Sequence, residues 1–148
     1  MEFFQGPVML GHRRLAIIDL SPLGHQPMLD TSERYTIVFN GTIYNYPELR
    51  QQLIDKGFAF NSHSDTEVIL NAFACWGEAS VEKLHGMFAF AIWDSQRQSL
   101  FLARDRMGIK PLYYARCKEG FYFASNPQAL LATGLFERDI DAVGLPTI

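Results

Sequence analysis

The sequence is short of cysteine, of charge and of long apolar runs, and each shortage narrows what the protein can be. Its two cysteines, Cys75 and Cys117, stand far apart and outside any C-x-x-C, so there is no basis for a disulfide framework or a thiolate metal site. No stretch approaches the ~20 apolar residues of a membrane-spanning helix. The opening MEFFQGP has no basic region leading into an apolar core of signal-peptide length. These absences read as a soluble, cytoplasmic chain with no membrane partner. Charged side chains make up only 20% of the residues, 13 Lys+Arg against 16 Asp+Glu, for a net charge of −3. The cations are scattered rather than gathered into a stripe, which argues against a nucleic-acid partner. G-x-G-x-x-G and G-x-x-x-x-G-K are both missing, so no phosphate cradle is expected in this segment. The histidines at 12, 25, 63 and 85 lie in unrelated surroundings. No His, Cys or Asp recurs at helical spacing to complete a metal shell, and no G-x-S-x-G frames a serine nucleophile.

What the chain does have is apolar mass, 48% of 148 residues, enough for one compact domain with a sizeable core. VML at 8–10, LAIIDL at 15–20 and TIVF at 36–39 read as extended, with SPLGHQP at 21–27 a loop. GMFAFAIWD at 86–94 is apolar on both sets of alternate residues, so it predicts a strand covered on both faces. SLFLA at 99–103, PLYYA at 111–115 and GFYFA at 120–124 are further strands, and PQALLAT a short helix. The short connections predict mostly antiparallel pairing. Covered strands with helices between them predict a layered α+β fold. Beyond Phe136 the apolar density falls, and 137–148 reads as the start of a linker.

Two helices carry clear signals. The first is announced by Asn45, with Glu48 as its capping-box partner, Pro47 in the first turn and Leu49, Leu53 and Ile54 as its apolar side; Lys56-Gly57 ends it. The second opens on SDTE. Ser64 and Glu67 form a reciprocal capping box, Val68, Ile69, Ala72, Phe73 and Trp76 face the core, and Gly77 stops it. Asp65 then sits in the first turn, where a carboxylate is favoured even with no ligand to bind.

Three polar groups stand beside strand or helix ends. They are Arg14 before LAIID, Asn40-Gly41 after TIVF, and Asp65. Taken singly, each has an ordinary structural role as a strand-edge cation, a turn former and a helix-start acid. Taken together they suit an α-amino acid: a guanidinium fork for its carboxylate, an Asp for its ammonium, and an Asn amide with a neighbouring N–H for a developing oxyanion.

The segments GHRRLAIIDL, FNGTIYNY, SHSDTEVIL, HGMFAFAIWD and ARDRMGIKPLYYA occur in that order. Together they closely resemble the N-terminal glutaminase domain of class II glutamine amidotransferases, most of all its asparagine synthetase branch. The resemblance spans roughly Gly6 to Leu131. It implies the N-terminal nucleophile hydrolase fold, a four-layer αββα sandwich of mostly antiparallel sheets, with residues 1–136 as a partial amidotransferase domain. It further implies that Arg14 binds the glutamine α-carboxylate, Asn40 and Gly41 form the oxyanion hole, and Asp65 meets the α-ammonium. Backbone groups around Ile17, Ile18 and Asp19 would line the same pocket. The family attacks the side-chain amide of L-glutamine with an N-terminal cysteine thiol, passing through a glutamyl thioester and releasing ammonia. No cofactor is implied for this domain. A downstream synthetase domain of the same polypeptide would use ATP and Mg to activate the carboxylate that is amidated.

Two departures from the family pattern carry expectations. The sequence begins MEFF where the family begins Met-Cys-Gly, so by that pattern the first strand and the nucleophile are absent. These residues alone are then expected to be inactive, either as part of a longer enzyme or as a non-catalytic amidotransferase-like module. A lost central strand also predicts a homo-oligomer, a borrowed strand or poor stability. The second departure is Thr42, where many relatives carry a glutamate that helps hold the ammonium. It predicts weaker glutamine binding or a branch with an altered pocket, with Thr42→Glu improving affinity for glutamine.

Overall fold

The computed structural model describes residues 2–13, 18–19 and 21–136. They divide after Lys110 into two compact units. In the first unit, β1 (Glu2–Gln5) and β2 (Val8–Gly11) form an antiparallel hairpin. EFFQ, for which the sequence suggests no element, supplies β1. Most of LAIIDL lies outside the described residues. Four further strands, β3 (Met28–Leu29), β4 (Tyr35–Ile43), β5 (Gly86–Asp94) and β6 (Ser99–Arg104), form one sheet in that order, with every pairing antiparallel. Between β4 and β5 the chain makes α1 (Tyr46–Asp55) and α2 (Asp65–Trp76).

Register and alternation decide which side chains the helices cover. Ile37 pairs with Ile92, Phe39 with Phe90 and Gly41 with Phe88, so these side chains share a face. They join Leu49 and Leu53 of α1 and Val68, Ile69, Ala72 and Phe73 of α2 in a single apolar cluster. On the opposite face Thr36, Val38, Ala89, Ala91 and Trp93 are buried as well. The doubly apolar pattern of 86–94 is thus matched by cover on both sides. Ile54, expected on the buried side of α1, is 45% exposed. Leu49 and Leu53, one turn apart, already fill the contact, and Ile54 sits 100° further round the helix.

The caps depart from the sequence reading in an informative way. Asn45 makes no side-chain cap to α1. Its amide donates to the Lys83 carbonyl and its oxygen accepts from the His85 N–H, tying the entry to α1 to the entry to β5. Ser64 does cap α2, its hydroxyl accepting from the Glu67 N–H at 3.2 Å. The Glu67 carboxylate, however, accepts from the N–H groups of Asn61 and Ser62 instead of reaching back to Ser64. Gly77, with φ 61°, ends α2, and the chain runs on as a 3-10 helix to Lys83. Glycine adopts that left-handed turn without the Cβ clash of other residues.

The second unit contains β7 (Tyr113–Cys117), β8 (Gly120–Ala124) and α3 (Pro127–Leu131). A two-residue turn joins β7 to β8. The Asn126 side chain caps α3 by accepting from the Gln128 N–H. Residues 137–148, read above as a linker, lie outside the described residues.

Candidate functional site

Asn40 and Gly41 are not a turn after a strand. Both lie inside β4, which runs nine residues where TIVF alone suggests four. Gly41 makes this continuation possible. A Cβ at this position would stand 2.2 Å from the Met87 carbonyl oxygen and 2.7 Å from the Phe88 Cα, and its φ is +154°. Gly86, opposite Ile43, is equally tight, since a Cβ there would meet the Thr42 carbonyl oxygen at 2.2 Å. The β4 and β5 backbones therefore approach one another closely at this end of the sheet, and two glycines permit it.

β3 pairs only with Thr36 and Ile37, so beyond Ile37 that edge of β4 carries no strand among the described residues. In an antiparallel strand the N–H groups of alternate residues point to the same edge. Side chains meet the N–H groups along this one. Asp30 Oδ1 accepts from Tyr35 at 2.8 Å, Gln26 Oε1 from Phe39 at 2.6 Å, and Asp65 Oδ2 from Ile43 at 3.0 Å. Gly41 occupies the same row between Phe39 and Ile43, and among the described residues nothing accepts from its N–H. Asn40 is exposed, and Gly41 and Thr42 are half-buried.

The N-terminus of α2 is built around that edge. Asp65, only 5% exposed, anchors β4 through Ile43. Thr66 accepts at Oγ1 from Gln26 Nε2 at 3.2 Å, and Gln26 in turn holds Phe39. Glu67 fixes the loop at 61–62. Three consecutive buried polar residues thus each tie the helix start to a different segment. Asp19, also buried, accepts from the Ser21 N–H at 2.8 Å and from the His63 N–H at 2.9 Å. This brings the Ile18–Asp19 backbone to the loop that leads into Asp65.

Of the residues singled out in the sequence, Asp65 is bonded to the β4 strand that carries Asn40, Gly41 and Thr42, and Asp19 is bonded to the loop that leads into Asp65. Arg14 and Ile17 lie outside the described residues. Sequence reasoning missed Gln26 and Thr66, because Gln26 reaches partners 13 and 40 positions away. The one hint was its place in the Gly- and Pro-rich loop at 21–27.

Two other polar centres stand apart. Arg34 forks onto Asp94 at 2.7 and 3.0 Å, and this hydrogen bonding holds the Asp94 carboxyl below the usual carboxylate range against the opposing effect of burial. They border a cleft of about 300 Å³ with Tyr35, Phe73, Arg97 and Phe101. The cleft lies at the Tyr35 end of β4, six residues and about 20 Å from Gly41, so it is separate from the edge described above. Asp105 is the second centre. Burial raises its carboxyl, but N–H groups led by those of Lys110, Ile109 and Phe88 outweigh this and hold it below the usual range. It pins the 105–110 loop to β5. Among the described residues no three His, Cys, Asp or Glu side chains gather as metal ligands, and no helix is long and apolar enough to cross a membrane.

Comparison with known proteins gives this arrangement a setting. The glutamine amidotransferase domain family matches residues 1–148. The chain is 43% identical over 143 residues to asparagine synthetase [glutamine-hydrolyzing] 3 of Bacillus subtilis, covering 95% of this chain and 23% of that protein. It is 48% identical over 129 residues to asparagine synthetase [glutamine-hydrolyzing] 1 of the same organism, covering 87% and 20%. The chain therefore spans about a fifth of the length of these curated relatives. Among solved structures, the glutamine phosphoribosylpyrophosphate amidotransferase of B. subtilis, complexed with ADP and GMP, superimposes with a TM-score of 0.70 at 26% identity, over 83% of this chain and 28% of that one.

Proposed function

The chain belongs to the glutamine amidotransferase family, with a fold of N-terminal nucleophile hydrolase type, and on that premise we propose that the β4 edge and the start of α2 form an L-glutamine site. The observation that carries this reading is the row of N–H groups along β4. Its members at Phe39 and Ile43 are taken by Gln26 and Asp65, while Gly41 between them meets no described acceptor.

In the proposed site the Gly41 N–H and the exposed Asn40 amide receive the side-chain carbonyl of glutamine, where negative charge develops when the amide is attacked. Asp65 receives the α-ammonium, and Arg14 the α-carboxylate as a bidentate partner. The spacing suits the ligand. Gly41 and the Asp65-held Ile43 are two residues apart on an extended strand, about 7 Å. Glutamine stretched from its α-nitrogen to its side-chain oxygen spans five bonds, about 6 Å. Thr42 contributes no charge to the ammonium, so the affinity is expected to be modest.

Hydrolysis of the amide needs a thiolate, and neither cysteine of the sequence is suited to supply it. Cys75 packs against the core cluster ten residues into α2, about 15 Å along the axis from Asp65. Cys117, the last residue of β7, has its thiol hydrogen-bonded to the Glu119 carboxylate. We therefore read these 148 residues as binding glutamine without hydrolysing it. In a longer protein, a thiol outside this sequence would release ammonia to an ATP- and Mg-using synthetase domain that amidates a carboxylate. Amide mapping by ¹⁵N NMR tests the binding step. L-glutamine should shift the Gly41, Thr42 and Ile43 signals and leave the Arg34–Asp94 cleft unchanged. Shifts confined to the cleft would overturn the assignment.

A further inference from the structure

We propose that Gln26 is a positioning residue for the Gly41 N–H, holding the edge of β4 and the start of α2 at a fixed separation. Gln26 is 5% exposed, and its amide bridges two elements that otherwise meet through Asp65 alone among the bonds described above. The carbonyl Oε1 accepts from Phe39 N–H at 2.6 Å, and Nε2 donates to Thr66 Oγ1 at 3.2 Å. The orientation of the amide follows from its partners, since turning it over would aim an N–H donor at the Phe39 N–H. Phe39 lies two residues before Gly41, and Thr66 directly follows Asp65. One side chain therefore sets the position of the strand just ahead of the Gly41 donor and the position of the helix just behind the anchoring carboxylate.

A second consequence concerns the edge itself. An unpaired strand edge invites another strand, and one seated on β4 would consume the Gly41 N–H. Gln26 takes the Phe39 N–H and Asp65 the Ile43 N–H without extending a ladder, so among the described residues the edge is occupied on either side of Gly41 and open at that residue. A main-chain partner could satisfy the same groups only by covering the middle one.

The role as positioning residue for glutamine rests on the glutamine reading above, and the experiment keeps the two apart. Uniformly ¹⁵N-labelled wild type, Gln26→Leu, Gln26→Glu and Thr66→Val are compared first without ligand. In Gln26→Leu the Phe39 amide should exchange with solvent at least tenfold faster and the Gly41 signal should move, while Ile43, held by Asp65, stays near its wild-type position. Gln26→Glu keeps an acceptor for Phe39, and the Thr66 hydroxyl can turn to donate to the new carboxylate, so the Phe39 and Gly41 signals should return toward wild type. Thr66→Val, which leaves Phe39 held, should disturb the Asp65 amide more than the Phe39 amide. A purely packing role would move the neighbouring core amides in all variants and would show no rescue by glutamate. An unchanged Gly41 signal in Gln26→Leu, or an equal effect of Leu and Glu, overturns the positioning role. If Gln26→Leu is too unstable to study, the contrast between Thr66→Val and Gln26→Glu decides by the same signals. L-glutamine is then titrated. Affinity should fall about tenfold or more in Gln26→Leu and recover in Gln26→Glu. A wild-type Gly41 signal indifferent to glutamine would overturn the glutamine reading, while the ligand-free comparison would still decide whether Gln26 places that N–H.

Discussion

Replacing Gly41 by alanine tests the geometry on which the site depends. The added Cβ would lie 2.2 Å from the Met87 carbonyl oxygen, 2.7 Å from the Phe88 Cα and 2.9 Å from the Phe39 ring, where ordinary contact begins at 3.4 Å. To accept it, β4 and β5 must separate by more than an ångström in the middle of a paired register, since two of the three obstacles are backbone. Overpacking of this kind costs about 1–3 kcal/mol, and a side chain at φ +154° adds roughly 1–2 kcal/mol of backbone strain. For a chain of this size, a total near 3 kcal/mol lowers the melting temperature by about 10 °C. Gly86→Ala meets an equally close carbonyl, and no positive φ adds to its cost, so it should fall by about half as much. Gly11→Ala, with nothing within 4 Å of its Cβ, should change little. Thermal melts followed by circular dichroism rank the three. If Gly41→Ala melts together with Gly11→Ala, the close approach is absent and the argument that glycine is required at this position fails.

Substitutions at four further positions probe separate parts of the account. Asp65→Asn keeps an oxygen that can accept from Ile43, so it should cost little stability yet weaken L-glutamine binding at least tenfold, whereas Asp65→Ala should lose about 1–3 kcal/mol as well; calorimetry beside urea denaturation separates the two effects. Thr42→Glu should strengthen glutamine binding by adding a second carboxylate for the ammonium, and unchanged or weaker binding in titration calorimetry would remove Thr42 from the site. Asp94→Asn should cost about 1–3 kcal/mol at neutral pH by breaking the charge-assisted fork from Arg34. Because the folded-state pKa of Asp94 is depressed, the contribution of this carboxylate is fully present above about pH 4 and is lost as pH falls through the folded value. Asp94→Asn should therefore flatten the acid side of a stability profile. Asp105→Ala removes the acceptor of the Phe88, Ile109 and Lys110 N–H groups, and hydrogen exchange at those three amides should quicken together.

The parts of this fold that sequence made legible are those governed by local chemistry. The double apolar pattern of 86–94, the Ser64 cap, the glycine stops at Gly57 and Gly77 and the short turns all depend on residues a few positions apart. Longer-range bonds were less visible. Glu67 sits where a capping-box glutamate belongs, yet its carboxylate turns to the Asn61–Ser62 loop, since a buried acid surrounded by several N–H donors takes the set that satisfies both oxygens. Asn45 is drawn away from its helix by Lys83 and His85, some 40 residues on. Asn40-Gly41 reads locally as a turn and becomes mid-strand only because β5 is there to pair with it. Among the candidate site residues, Asp65 and Gly41 could be found from motif and resemblance. What fixes them in place, Gln26, Thr66 and the carboxylate of Asp19, could not, because no spacing rule links loops to a strand and a helix start so far along the chain.

The central claim is that the Gly41 N–H and Asp65 together form a site for L-glutamine. Titration calorimetry of wild-type protein and Asp65→Asn with L-glutamine, and of wild type with L-asparagine, tests it most directly. The account predicts saturable 1:1 binding of glutamine to wild type, loss of at least tenfold in affinity on Asp65→Asn with the fold retained, and weaker binding of asparagine, whose side chain is one methylene too short to bridge the two groups. Equal affinity of wild type and a folded Asp65→Asn for glutamine, or no binding by a folded wild type, would contradict it.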